Sequence, residues 1–141
     1  MGENLLGLVL GNGRAKKAGP EGIARRQRER LDAMSVFARA NSPFYSRLYA
    51  DLPPGPVNLQ QMPITTKKWL MGEFDNWVTD PGVKFVDAQA FADDPSKVGE
   101  KFRGYTLATT SGTSGNKGIF VYDDHAMAVT QSIAARMLMS W

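Results

Sequence analysis

The chain has 141 residues, of which 43% are hydrophobic and 22% are charged. This composition is typical of a globular protein and excludes a disordered polyelectrolyte. The absence of cysteine excludes a disulfide scaffold, a thiolate zinc site and a cysteine nucleophile. The length is sufficient for one domain.

The net charge of +3 is unevenly distributed along the chain. Residues 1–30 carry seven basic and three acidic side chains, whereas residues 31–141 carry ten basic and eleven acidic ones. Basic clusters bind nucleic acid or anionic membranes in some proteins. No aromatic residue is interleaved with the basic ones here, so the preferred interpretation is a solvated helix face. We therefore expect no nucleic acid and no membrane as partners.

The N-terminal segment lacks the features of a targeting signal. The apolar run at residues 5–10 is too short to cross a bilayer. Glu3 precedes this run and the positive charges follow it, which is the reverse of a secretory signal. Glycines at positions 11, 13 and 19 are expected to interrupt regular secondary structure in this segment. We predict that residues 1–19 form a flexible tail with a strand-like or frayed start, and we expect a cytoplasmic protein.

Four helices are predicted in the first two thirds of the chain. The first begins at Pro20, presents apolar residues at helical spacing and ends near residue 41. Ser42 is the predicted cap of a short second helix. A third helix is predicted over residues 66–78, capped by Thr65 or Thr66, and a fourth over residues 86–92.

From Tyr105 onward, the sequence pattern changes from one typical of helices to one typical of strands. Residues 105–109 and 119–122 are rich in β-branched and aromatic side chains, which predicts two strands. Asp123 and Asp124 precede a helix that we expect to continue to Trp141. For these two aspartates, N-capping of the helix is favoured over magnesium binding. The fold class predicted is α/β, with a helical segment followed by a strand–loop–strand–helix unit.

The loop between the two predicted strands has the composition of a phosphate-binding segment. Glycines let backbone N–H groups converge on an anion, hydroxyls donate to phosphate oxygens, and a lysine offsets charge. Glycine- and serine-rich segments between strands are more often plain hairpin loops, so composition alone leaves both interpretations open. The Walker A spacing is absent. The predicted phosphate-binding residues are Thr110, Ser111, Gly112, Thr113, Ser114, Gly115, Lys117 and Gly118.

The order of residues in this loop resembles a known signature. Thr-Ser-Gly-Thr-Ser-Gly followed by Lys-Gly is similar to the phosphate loop of the adenylate-forming superfamily. Flanking motifs narrow the resemblance to its phenylacetate–CoA ligase-like branch. These are Asn-Ser-Pro-Phe-Tyr at 41–45, Met-Pro-Ile-Thr-Thr-Lys at 62–67, Phe-Asp-Asn-Trp-Val-Thr-Asp-Pro at 74–81 and Gly-Ile-Phe-Val-Tyr-Asp at 118–123. The resemblance covers roughly residues 20–141.

The resemblance implies a two-step reaction. A carboxylate attacks the α-phosphate of ATP with Mg²⁺, giving an acyl-adenylate and pyrophosphate, and the thiolate of coenzyme A then attacks the acyl carbon and expels AMP. It implies that residues 20–141 are an incomplete part of the large N-terminal domain of such an enzyme. The motifs for adenine, ribose and Mg²⁺, and the catalytic lysine, do not appear, so no catalytic or metal-binding residue is assigned. Asn116 stands alone between Gly115 and Lys117, where the common loop has an additional residue and a proline, which leaves the register of Lys117 open.

The chain is expected to be inactive alone and marginally stable, because two strands do not form a self-sufficient sheet. Self-association or a complementing chain would cover the open edges. The alternative function is a non-catalytic module whose basic N-terminal helix binds an anionic partner. His125 is expected to be an exposed or capping residue rather than a catalytic one.

Overall fold

The computed structural model describes residues 4–111 and 117–138. Its helices are α1 (Leu5–Lys17), α2 (Gly19–Asn41), α3 (Pro43–Leu48), α4 (Lys67–Gly72), α5 (Phe74–Trp77), α6 (Phe85–Asp93) and α7 (Asp124–Leu138). The strands are β1 (Thr106–Thr109) and β2 (Ile119–Tyr122), and short 3₁₀ turns cover Leu59–Gln61 and Pro95–Lys97. This mixed helix and strand content agrees with the predicted α/β class.

Helix α1 lies where the sequence predicts a strand-like or frayed tail, so that prediction is wrong for residues 5–17. The side chain of Asn4 caps the helix by accepting a 2.8 Å hydrogen bond from the Gly7 N–H. Leu8 is only 1% exposed, and the helix packs against both α7 and α2. Tertiary contacts therefore stabilise the helical conformation of a segment whose local sequence signals for a helix are weak. The division of the chain at residue 19 stays a prediction.

Gly11 allows close packing of α1 against α2 rather than breaking the helix. A Cβ atom on Gly11 would lie 2.7 Å from Nη2 of Arg26 on α2. The Arg26 side chain also donates from Nε to Oδ1 of Asn12, at 3.2 Å. The Nδ2 group of Asn12 in turn donates to Oγ of the buried Ser132 on α7, at 3.2 Å. A polar connection thus joins α1, α2 and α7.

Ser42 is the cap of α3, as the sequence predicts. Its hydroxyl accepts a 3.3 Å hydrogen bond from the Tyr45 N–H. The same hydroxyl lies 2.8 Å from the carbonyl oxygen of Trp77, to which it can donate. Ser42 is 1% exposed, so these bonds replace water around a buried polar atom. The start of α3 is thereby fixed against the end of α5.

The predicted third helix is interrupted, which corrects the continuous helix expected over residues 66–78. Thr66 caps α4 by accepting from the Trp69 N–H at 3.2 Å. The chain leaves helical geometry at Glu73, with φ −110° and ψ 19°. Gly72 favours this break, because glycine has a low helix propensity. The change of direction places Phe74 at the centre of the core.

The core packs against a two-stranded antiparallel sheet. Strands β1 and β2 pair from Thr106 with Tyr122 to Thr109 with Ile119. The buried residues that form the core are Phe74, Val83, Ala88, Phe102 and Ile119. The first strand begins one residue later than predicted, and α6 extends one residue beyond the prediction at each end. Within residues 4–111 and 117–138, no helix has the length and apolar character needed to span a bilayer.

Candidate functional site

The two ends of the predicted phosphate loop are held together by a pair of hydrogen bonds. The Thr110 N–H donates to the Gly118 carbonyl at 3.0 Å. The Gly118 N–H donates to Oγ1 of Thr110 at 2.9 Å. These bonds extend the hairpin by one step beyond the Thr109–Ile119 pair, so the loop emerges from a fixed base. The remaining predicted residues, Gly112, Thr113, Ser114 and Gly115, lie outside the described part of the chain.

Gly118 occupies a tightly enclosed position at this base. A Cβ atom there would lie 3.0 Å from a ring carbon of Phe120, 3.1 Å from Cδ of Lys67 and 3.2 Å from Oγ1 of Thr110. Contacts this short require the neighbours to move. The structure therefore explains glycine at this position by close packing against side chains, a reason that the sequence pattern does not reveal.

Helix α4 supports the base of the loop. The buried Ile119, the first residue of β2, donates its N–H to Sδ of Met71 at 3.3 Å. Lys67 lies in the first turn of the same helix, and its aliphatic stem packs beside Gly118. Lys67 is thus a second cation at the loop base. It is not among the phosphate-binding residues predicted from the sequence. Its only sequence signal is its place in the Met-Pro-Ile-Thr-Thr-Lys motif.

Lys117 forms an ion pair that the sequence does not predict. Its Nζ lies 2.5 Å from Oδ1 of Asp93, the last residue of α6. The side chain of Lys117 is 42% exposed and that of Asp93 is 49% exposed, so water competes for both groups. An exposed pair of this kind contributes about 0–1 kcal/mol to stability. A bound anion can therefore draw Lys117 from Asp93 at small cost.

The described side chains at the loop base are basic or carry hydroxyls, and they do not form a metal centre. Lys67 and Lys117 offer positive charge, and the exposed Thr110 and Ser111 carry hydroxyls at the loop entrance. In the described part of the chain, no three His, Asp or Glu side chains form a metal-binding group. The described side chains offer positive charge and hydroxyl donors, whereas they identify no set of Mg²⁺ ligands.

The acidic residues before α7 have structural roles. Oδ1 of Asp123 accepts from the Ala126 N–H at 2.7 Å, which confirms the predicted capping. Asp124 pairs instead with Nζ of Lys101 at 2.5 Å. His125 is exposed in the first turn of the helix, as predicted.

The basic residues of the N-terminal segment gather beside a small polar cavity between α1 and α2. Arg14, Arg25 and Arg26 line this cavity, whose volume is about 220 Å³, together with Glu29. Arg25 is exposed, whereas Arg26 is partly buried and bonded to Asn12. This basic face is the feature on which the alternative function depends.

No protein-family model, no curated protein and no solved structure matches this chain.

Proposed function

We propose that this chain carries the ATP phosphate-binding loop of an AMP-forming acid–CoA ligase-like protein of the phenylacetate–CoA ligase-like branch. The observation that carries the proposal is the closed loop base, with two lysines beside it. Thr110 and Gly118 bond to each other, and Lys67 and Lys117 lie at the same base. The order of residues between 109 and 118 supports the same function by resemblance.

The residues of the loop base have different roles in holding the β- and γ-phosphates. Lys67 and Lys117 offset the negative charge, each as a flexible ammonium group with three donors. The hydroxyls of Thr110 and Ser111 donate to phosphate oxygens. Gly118 keeps the loop base compact, because a Cβ atom there would force Phe120, Lys67 or Thr110 to shift.

The proposal extends to the whole reaction of the branch. A carboxylic acid and ATP with Mg²⁺ give an acyl-adenylate and pyrophosphate, and the thiol of coenzyme A then attacks the acyl carbon, forming a thioester and expelling AMP. The loop holds the leaving pyrophosphate, which favours reaction by positioning and charge stabilisation. Residues 20–141 are then a partial ATP-binding unit in the cytoplasm, and a further segment or a complementing chain supplies the sites for adenine, Mg²⁺, the acid and coenzyme A.

Calorimetric titration of the chain with ATP and magnesium tests the proposal. Lys117→Ala is expected to weaken binding about tenfold, and Ser111→Ala about threefold, because each removes a donor to a charged oxygen. Lys84→Ala is the control, because it removes an equally exposed lysine whose partner is Asp75. The proposal fails if neither site variant changes ATP affinity while replacement of Arg25 and Arg26 abolishes binding to a polyanion.

Neutralising Asp93 is expected to strengthen phosphate binding. Asp93→Asn removes the carboxylate that pairs with Lys117 and a negative charge close to the incoming phosphates. ATP affinity measured by calorimetry should rise about threefold, and the rise should diminish at high salt. Asp87→Asn removes the same charge from an exposed position on the same helix and should leave the affinity unchanged. An unchanged affinity in Asp93→Asn would show that Asp93 does not restrain Lys117.

A further inference from the structure

A second cavity lies away from the loop, between the helices and the sheet. Its volume is about 480 Å³, a size typical of small-molecule sites. Its walls come from α2, α3, α5, β2 and the first turn of α7, together with the segments that follow α5 and precede β1. Five of its lining residues carry the chemistry discussed below: Tyr45, Trp77, Tyr105, Asp80 and Asp123.

The carboxylate of Asp80 is held in its charged form at the wall of this cavity. It accepts a 2.8 Å hydrogen bond from the Tyr105 hydroxyl and another of 2.8 Å from the Gly82 N–H. These two bonds lower the pKa of Asp80 below its ordinary value. The capping carboxylate of Asp123 adds a second formal negative charge to the lining.

Aromatic rings form much of the remaining surface. The indole N–H of Trp77 donates to the Tyr45 hydroxyl at 3.4 Å. The Trp77 ring also packs edge-on against Phe74 and Phe120, with centroid distances of 6.0 and 5.9 Å. The rings are therefore held in place by their neighbours. Aromatic faces carry negative charge density and attract cations, most strongly when several surround one group.

The charges around the cavity favour a cation. Among the described residues, no lysine or arginine lines it. Arg103 is the basic residue that acts on Asp80 from outside the lining, where its positive charge favours the carboxylate form. A carboxylic acid would meet two carboxylates in this cavity and would be repelled.

We propose that this cavity binds a small organic ammonium group joined to an apolar or aromatic body. The two aspartates provide the opposite charge, and the rings of Tyr45 and Trp77 provide cation–π contacts and apolar surface. The site differs from the phosphate loop in both position and sign of charge, so its ligand is neither ATP nor the carboxylic acid substrate. The inference does not depend on the proposed ligase function.

Titration with three probes of similar size tests the proposal. The probes are benzyltrimethylammonium, neutral benzyl alcohol and anionic phenylacetate, followed by calorimetry and tryptophan fluorescence. Benzyltrimethylammonium is expected to bind at least about tenfold more tightly than either of the others. Equal affinity for the three probes, or preference for phenylacetate, would overturn the proposal.

Charge variants locate the binding within the molecule. Asp80→Asn and Asp123→Asn keep hydrogen-bonding side chains, and each is expected to weaken benzyltrimethylammonium binding about fivefold. Asp51→Asn, at an exposed position outside the cavity, should have no effect. If both cavity variants retain the circular dichroism spectrum of the original chain and neither changes the affinity, the proposal is wrong.

A gain of affinity provides a test that a misfolded variant cannot imitate. Arg103→Asn removes the cation that competes for Asp80, and asparagine tolerates the φ of 52° at this position. Benzyltrimethylammonium affinity is expected to rise about twofold to threefold. An unchanged or reduced affinity in this variant would contradict the electrostatic basis of the site.

Discussion

Replacement of Phe74 by alanine is expected to lower the free energy of unfolding by about 3–5 kcal/mol. Phe74 is 2% exposed and lies at the centre of the core beside Val83, Ala88 and Ile119. The substitution removes an aromatic ring and leaves a cavity between α5 and β2. A loss of this size is comparable with the total stability of many domains, so Phe74→Ala is expected to unfold much of the chain at 25 °C.

Urea denaturation followed by circular dichroism measures this effect. Phe74→Leu keeps most of the apolar volume and should lose less, about 1–2 kcal/mol, so it remains measurable if Phe74→Ala does not fold. Val86→Ala, at a side chain that is 75% exposed, is the control and should change stability by less than about 0.5 kcal/mol. Equal effects of Phe74→Ala and Val86→Ala would show that the core is not organised around Phe74.

Removing both lysines from the loop base is expected to weaken ATP binding about a hundredfold. Lys67→Gln and Lys117→Gln each remove one charge-assisted contact to phosphate, and about 1.4 kcal/mol for each corresponds to about tenfold in affinity. The two residues approach the loop base from different places in the chain, Lys67 on α4 and Lys117 two residues before β2. Calorimetry with ATP and magnesium gives the affinities of the single and double variants.

A second double variant controls for net charge. Lys84→Gln with Lys97→Gln removes two lysines that pair with Asp75 and Glu100 at exposed positions. This control should weaken ATP binding by less than about twofold. If Lys67→Gln adds nothing to the effect of Lys117→Gln, Lys67 does not contact the phosphates.

The elements that the sequence predicts well have strong local signals. Pro20 and the apolar spacing that follows mark α2, and Ser42 marks the start of α3. The hairpin is also predictable, because two short β-rich runs flank one glycine-rich loop. These signals are helix caps, apolar periodicity and turn residues. Each involves only a few neighbouring positions, so it can be recognised from the sequence alone.

Helix α1 shows where local signals fail. Gly11 indicates a break when only its neighbours in sequence are considered. In the structure, the missing side chain instead makes room for Arg26 of the adjacent helix. The interruption at Glu73 is a similar case, because the turn that buries Phe74 depends on contacts with distant residues.

The candidate site was predictable in part. The sequence identifies Thr110, Ser111, Lys117 and Gly118 through their order in one loop. It does not identify Asp93 or Lys67, which are far from the loop in sequence and reach it only through the packing of α6 and α4. Contacts between distant segments depend on the tertiary arrangement, which a single sequence does not display.

An amide NMR titration with magnesium pyrophosphate is the sharpest test of phosphate binding at the loop base, because it reports the position of the bound phosphates residue by residue. We expect the largest chemical-shift changes at Thr110, Ser111, Lys117 and Gly118, with smaller changes near Lys67. Unchanged signals at these residues, with changes at Arg25 and Arg26 instead, would contradict this expectation and favour a basic module that binds anions through its N-terminal helices.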